Sequence, residues 1–495
     1  MTLRKILFGL GILFFLVLFQ NCQKFSDIQS SSGPGKHLES TGYGYSGMQL
    51  KMSANQVLPG GTVEIEVLGG VAPFKLTSSV GTIISVSERK YVLSVPRSAQ
   101  VKEIANIEIV DRGGASVRES VQIVEILVSG NVLNNSKGFG RDVVLFENKI
   151  LLADALNDDL SRDGGAIFQV SENSLGWNLE QIIRPPNGVG KNFGYSMAIN
   201  NGQLIVGSPY QFFQQEANKE TLLIYNWTGS SWELAQKMID SIDMNTYSGS
   251  QISTYGDVLA SAGLSYLKST KVNIYERSPQ NNWAHVQSLY KDEPLYGRSV
   301  FVGKEYIVVG LRYSAVIYRK DLNSLKWVQE VELSFPKATK YSDYSKALFG
   351  GDSVVFIGAP KYSHFLNGEN CADCGGVFVY RFNGTEWSLE KEIVNNFIDR
   401  EAHFGASLFY SHPFLYIGAP DENNENGIDA GAVYVFESLK NGWRKIGKLL
   451  SPSGKAADRF GATIHGDHEQ LVVISPGKRK AQIFSVSKIL NLLEK

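Results

Sequence analysis

The residues best placed to do chemistry lie in one acidic stretch, Asp421-Glu422-Asn423-Asn424-Glu425-Asn426-Gly427-Ile428-Asp429. Asp421, Asn423, Glu425 and Asp429 put side-chain oxygens at the first, third, fifth and ninth positions around a glycine. A hard cation such as calcium takes about six to eight oxygens in a tight loop, so this spacing reads as a candidate calcium loop. A solvated acidic turn is the alternative. Asn157, Asp159 and Asp163 make a sparser version of the same pattern.

Cys371 and Cys374 stand in Asn370-Cys371-Ala372-Asp373-Cys374-Gly375. An even pair in a chain expected outside the cytosol is expected to form a disulfide that staples a long loop. A redox centre would sit at the start of a helix, and none is visible here. A zinc site would need two more ligands, with only His364 nearby. Elsewhere the sequence holds no Gly-x-Ser-x-Gly elbow, no His-Glu-x-x-His and no phosphate loop, so no catalytic residue is assigned and the chain is not expected to be an enzyme. His465-Gly466-Asp467-His468 is the densest histidine cluster, and it falls where a polar turn between strands is expected.

Both candidate loops belong to a repeat. Phe139, Phe193, Tyr247, Tyr296, Tyr344, Phe404 and Phe460 are each followed, fourteen residues later, by Ala153, Gly207, Ser261, Gly310, Gly358, Gly418 and Ile474. The best copies of the second anchor read Gly358-Ala359-Pro360 and Gly418-Ala419-Pro420. Between the anchors runs a short apolar segment such as Phe414-Leu415-Tyr416-Ile417, read as a buried strand before a tight turn. A polar loop follows, then an aromatic β-rich run. In six copies one more strand is headed by Trp177, Trp232, Trp283, Trp327, Trp387 or Trp443.

A period of about 50 residues with four strands per unit is the signature of a propeller blade. One four-stranded sheet cannot bury both faces alone, whereas radially packed sheets cover one another. The fold class is therefore all-β, a seven-bladed β-propeller over residues 122–495. Because the aromatics recur in every copy and the tryptophans in six of the seven, they read as packing elements rather than a cofactor cage.

The motif resembles the FG-GAP repeat of the integrin α-chain N-terminal β-propeller and of many bacterial surface proteins, over residues of about 131 to 487. That resemblance implies a recognition platform, with calcium in a loop after the Gly-Ala-Pro turn. The family's loop is Asp-x-Asp-x-Asp-Gly-x-x-Asp; here the fifth position is Glu425 and the glycine comes one place late. The seventh copy lacks its tryptophan strand. Residues near 122 to 129 are expected to complete that blade, with Ile489 to Leu493 as the alternative.

Ahead of the repeats, residues 45–121 alternate strictly, as in Thr62-Val63-Glu64-Ile65-Glu66-Val67. Turns occur at Gly69-Gly70-Val71-Ala72-Pro73 and Asp111-Arg112-Gly113-Gly114. Short alternating strands with such turns predict a small β-sandwich, which resembles bacterial immunoglobulin-like modules and reads as a spacer. Residues 23–44, rich in Ser and Gly, read as a flexible tether.

Arg4 and Lys5 precede an unbroken run from Ile6 to Phe19 that is too short to favour a spanning helix, so residues 1–22 read as a secretory signal. Cys22 resembles the lipidated cysteine of bacterial lipoproteins, although Gln20 and Asn21 depart from the usual preceding residues. An uncleaved anchor and ordinary secretion are the other readings. With Gln23 following, the resemblance implies an outer-membrane lipoprotein held by an N-terminal lipid.

With 495 residues, a net charge of −1 and Lys478-Arg479-Lys480 as the one basic run, the chain shows no charge reason to bind nucleic acid or anionic membrane. The function expected is that of a monomeric, envelope-anchored recognition or adhesion module for a protein or glycan. A periplasmic assembly scaffold and a propeller hydrolase or lyase are the alternatives.

Overall fold

The computed structural model describes residues 48–493, apart from 53–55, 58–61, 97–103, 124–137, 159–161, 174–175, 187–190, 210–221, 239–248, 264–270, 294, 336–341, 367, 396–398 and 453. The expected signal, lipidated Cys22 and tether lie outside these residues, as do Tyr247 and Asp159. No helix of the described residues is long and apolar enough to cross a membrane. Two compact units divide the chain, one up to Ile123 and one from Val124, with the short segment Gln100–Lys102 grouped with the second.

In the first unit two four-stranded sheets share one core. One carries Gln49–Met52, Thr62–Leu68, Lys90–Ser94 and Thr82–Ser85; the other carries Gln56–Val57, Ser116–Ile123, Ile104–Val110 and Lys75–Ser78. Strict alternation sends Val63, Ile65 and Val67 inward, where they meet Leu93, Ile107 and Ile109, while Glu64 and Glu66 point away. The two glycine-rich turns are tied together by buried Asp111. Its Oδ1 accepts the backbone N–H groups of Gly113 and Ala115, both at 2.9 Å, and its Oδ2 accepts that of Val71 at 3.1 Å.

The second unit is a succession of antiparallel meanders. Six have four strands each: Phe139–Ile183, Met197–Met238, Gln251–Tyr290, Val300–Ser334, Ala347–Ile393 and Ser407–Leu449. The last sheet has three described strands, Thr463–Gly466, Gln470–Ser475 and Lys480–Ser485. In every sheet the second strand is buried along nearly its whole length, as in Tyr306–Gly310 and Val354–Ala359, because neighbouring sheets cover both of its faces.

Each first strand touches the first strand of the next sheet, and Thr463–Gly466 touches Phe139–Phe146. Sheets whose first strands touch in a cycle form a closed ring, so no first strand is an open edge. This is propeller architecture, with seven sheets among the described residues.

The repeat anchors have clear physical roles. Phe193, Tyr296, Tyr344, Phe404 and Phe460 are all fully buried between sheets. The glycine of the second anchor is required by close approach: a Cβ on Gly418 would lie 2.1 Å from the carbonyl oxygen of Gly461 in the following sheet. At the rim, Gln236 brackets the backbone of Trp283 in the next sheet, accepting from its N–H at 2.9 Å and donating to its carbonyl at 2.8 Å. Gln287 does the same for Trp327.

The expected closing strands differ from the structure. Gln122 and Ile123 end a strand of the first unit, and 124–129 fall outside the described residues. Ile489 to Leu493 is helical, within Val486–Leu493. Apolar residues at helical spacing turn one face inward, and Val486 and Ile489 pack with Leu449, Phe460 and Ile464.

Candidate binding site on the loop face

Antiparallel neighbours reverse direction, so connections from second to third strand and from fourth strand to the next sheet leave at one end of the ring. The remaining turns leave at the other. At the second end the connections are tight: 147–148, 201–202, 256–257, 412–413 and 440–441 among them. At the first end most are long, including 155–165, 184–196, 208–221, 335–346, 360–375, 394–406, 420–431 and 450–462, with 311–313 and 476–479 as the short ones. Both candidate cation loops and the cysteine pair lie on this long-loop face.

The acidic loop is organised by its own hydrogen bonds. Asp421 is held by two neighbours: Arg459 Nε lies 2.6 Å from Oδ1, and His403 Nδ1 lies 2.7 Å from Oδ2. Burial pushes the Asp421 carboxyl up, but the bonds to His403 and Arg459 outweigh it and hold it below its ordinary value. Asn423 donates from its backbone and from Nδ2 to Asp399 at 2.8 and 3.0 Å, and its Oδ1 accepts the N–H of Asp429 at 3.0 Å. Glu425 and Asp429 are exposed. Among the described residues no three His, Cys, Asp or Glu side chains gather as a metal set.

Asp429 has a second, backbone task. It adopts φ 52°, as Asp163 does at 56° and Asp373 at 50° in two other copies. The carbonyls of Asp163, Asp373 and Asp429 accept the N–H groups of Asn192, His403 and Arg459, each directly before an aromatic anchor. A corner aspartate repeated in three loops is a structural latch between sheets, since Asp tolerates the left-handed region. Asn157 is buried and donates from Nδ2 to Asp154 at 3.2 Å, whereas Asp163 points toward Arg162.

Glu422, unremarked in sequence, is fully buried with Tyr434 Oη 2.5 Å and Lys448 Nζ 2.9 Å away. Burial raises its pKa against the pull of both partners. Cys371 and Cys374 are disulfide-bonded with Cα atoms 5.6 Å apart, closing the end of a small hairpin, His364–Leu366 with Glu369–Cys371.

Around the axis, register positions recur from sheet to sheet. Three residues past the aromatic anchor, Ser299, Ser407 and Thr463 donate to the carbonyls of Ser345, Gly461 and Gly140 in the next sheet. Asp142 occupies that position in the first sheet. It accepts the N–H of Met197 at 2.7 Å and that of Val143 at 2.8 Å, and burial raises it to about 6. Five past the anchor, Phe301, Phe349, Phe409 and His465 touch in succession at 5.5, 5.4 and 5.7 Å between ring centroids. His465 is thus part of a strand and an aromatic belt, not of the polar turn expected, and burial lowers it to about 4 against the opposing pull of Asp467.

Two past the anchor the positions hold Arg141, Tyr195, Gly249, Arg298, Lys346, Ala406 and Ala462. Reading that column down the repeat alignment would have exposed the three cations in the sequence.

No protein-family model matches the chain, and no curated protein matches it. Solved structures do. A candidate 6-phosphogluconolactonase from Bacteroides uniformis aligns at a TM-score of 0.48 with 11% identity, over 70% of this chain and 94% of that one. A Lactobacillus plantarum protein aligns at 0.42 with 10% identity, over 71% and 94%. The extracellular domain of a hybrid two-component system from B. thetaiotaomicron aligns at 0.41 with 13% identity, over 70% and 38%. Likeness at that level decides nothing about this chain's chemistry.

Proposed function

We propose that this chain is an envelope-anchored recognition module whose long-loop face captures a protein or glycan, a seven-bladed ring of FG-GAP-like repeats serving as the rigid support. One observation carries the reading: long, dissimilar connections are gathered at one end of the ring, while the opposite end is closed by tight turns. A rigid scaffold presenting variable loops is a common arrangement for binding. A cation in the acidic loop would have to displace Arg459 and His403 from Asp421, so the reading does not depend on calcium.

Capture of envelope proteins and glycans by soluble residues 43–495, with and without chelator, tests it. Replacing the hairpin connection 360–375 by a short turn should abolish capture, and altering turn 256–257 at the other end should not. The reverse result would end the proposal. A periplasmic scaffold would use the same face, and protease access on intact cells separates the two. A hydrolase or lyase is the second reading, favoured by the ionisable groups Arg141, Asp142, Arg298 and Lys346 in or just before the inner strands; both Asp142 oxygens, however, already accept backbone N–H groups.

A further inference from the structure

Arg141, Arg298 and Lys346 come from the first, fourth and fifth sheets, at the same register position where each inner strand leaves the long-loop face. The first and fifth sheets are not neighbours in the ring. Yet Lys346 is under the repulsion of both Arg298 and Arg141, which adds to burial in lowering its pKa, against partial relief from Asp343. Because the first strands touch in a closed cycle, residues at this shared register border the axis, and that is where side chains of non-adjacent sheets come within reach of one another's charge. Lys346 is exposed to solvent, and burial is still the first cause of its lowered pKa.

The cations are unequally compensated. Arg298, 9% exposed, donates to Asp343 Oδ1 at 3.2 Å and to the carbonyl of Tyr344 at 3.3 Å. Asp343 is shared, with Lys361 Nζ 3.9 Å from its other oxygen. The Arg141 guanidinium lies 3.9 Å from the centroid of Tyr195, a stacked position that leaves its N–H edges open. Lys346 has no acidic hydrogen-bond partner among the described residues. Of the equivalent residues in the other four sheets, Tyr195 carries Arg141 on its ring, and Gly249, Ala406 and Ala462 are small.

We infer that the axial mouth on the long-loop face is a binding site for a doubly charged oxyanion of the phosphate class, with Lys346 and Arg141 as its direct donors and Arg298 holding the rim. Excess positive charge inside protein walls is relieved by an anion, and a guanidinium fork with an ammonium suits tetrahedral oxygens. This goes beyond the recognition reading and stands whether or not the loops capture a partner.

Titration of the full chain with inorganic phosphate at constant ionic strength, followed by calorimetry and thermal midpoint, tests the site. Wild type should show saturable binding, weakened at least about tenfold by Lys346→Met and by Arg141→Met. Lys304→Met, in a turn at the opposite end, should bind as wild type does. Arg141 is exposed, so its variant serves if Lys346→Met does not fold. A phosphate monoester that binds more tightly than inorganic phosphate marks the anion as part of a larger ligand, and equal affinity marks a free ion; both support the site. Variants that titrate like wild type, or equal binding of chloride, would overturn it.

Discussion

Thr463 Oγ1 donates to the carbonyl oxygen of Gly140 at 3.1 Å, although 323 positions separate the two residues in the chain. Ser299 and Ser407 make the same bond from the fourth sheet to the fifth and from the sixth to the seventh, so this one places the last sheet beside the first as those junctions are placed. The ring's closure therefore rests on local chemistry that the sequence repeats.

Gly140→Ala should weaken that closure. Gly140 has φ 72°, and an added Cβ would lie 2.1 Å from Ile474 Cγ2. Left-handed backbone strain and overpacking together should cost about 3 kcal/mol. Urea unfolding is the measurement. A variant as stable as wild type would falsify the joining of these two sheets.

The aromatic anchors, the second-strand glycines and the sandwich alternation were legible because each is enforced once per repeat or once per strand pair. Closure was not. The acidic loop was legible as oxygen spacing but not as an Arg459 and His403 clamp, because those partners arrive from segments far along the chain. The cations at the axis were hidden for a different reason: spread over three repeats, they have no local motif, and only their shared register unites them. His465 was misplaced because a histidine beside Gly466 and Asp467 has the composition of a turn, while the belt it joins is made by Phe409 of another sheet.

Arg459→Met should expose what holds the acidic loop. Asp421 is only 14% exposed and would keep His403 alone, so a loss of about 1–2 kcal/mol is expected at neutral pH. Because the Asp421 pKa is depressed in the fold, its contribution is present above the ordinary value of 3.8 and disappears as pH falls through the folded value. The deficit of the variant should therefore shrink in strong acid. A deficit that does not change with pH would mean Arg459 acts by packing alone.

Gln236→Ala tests the rim. It leaves the backbone N–H and carbonyl of Trp283 without the side chain that brackets them, which should cost about 1–2 kcal/mol. Val331→Ala makes a contrast, since valine at the equivalent fourth-strand position has no polar group with which to bracket Trp387. Hydrogen exchange at the Trp283 amide should accelerate in the glutamine variant. Unchanged exchange there would remove Gln236 from the inter-sheet bonds.

His465→Phe should stabilise the ring, and more so in mild acid. Phe301, Phe349 and Phe409 already occupy the same register, so a phenyl ring suits the belt. The folded His465 value of about 4 lies below the ordinary 6.5, so between these limits the unfolded chain binds the extra proton. Stability from the neutral ring is complete above about 6.5 and is lost as pH falls toward 4. Asp142, raised to about 6 from 3.8, has the opposite slope in much of the same window, gaining stability as pH falls. In wild type the two trends offset each other, but Asp142 is common to both proteins and cancels in their difference. The advantage of the phenylalanine variant should thus grow by about 2 kcal/mol between pH 7 and pH 5, read as the difference in urea unfolding free energies. A pH-independent difference would place His465 in water rather than in the belt.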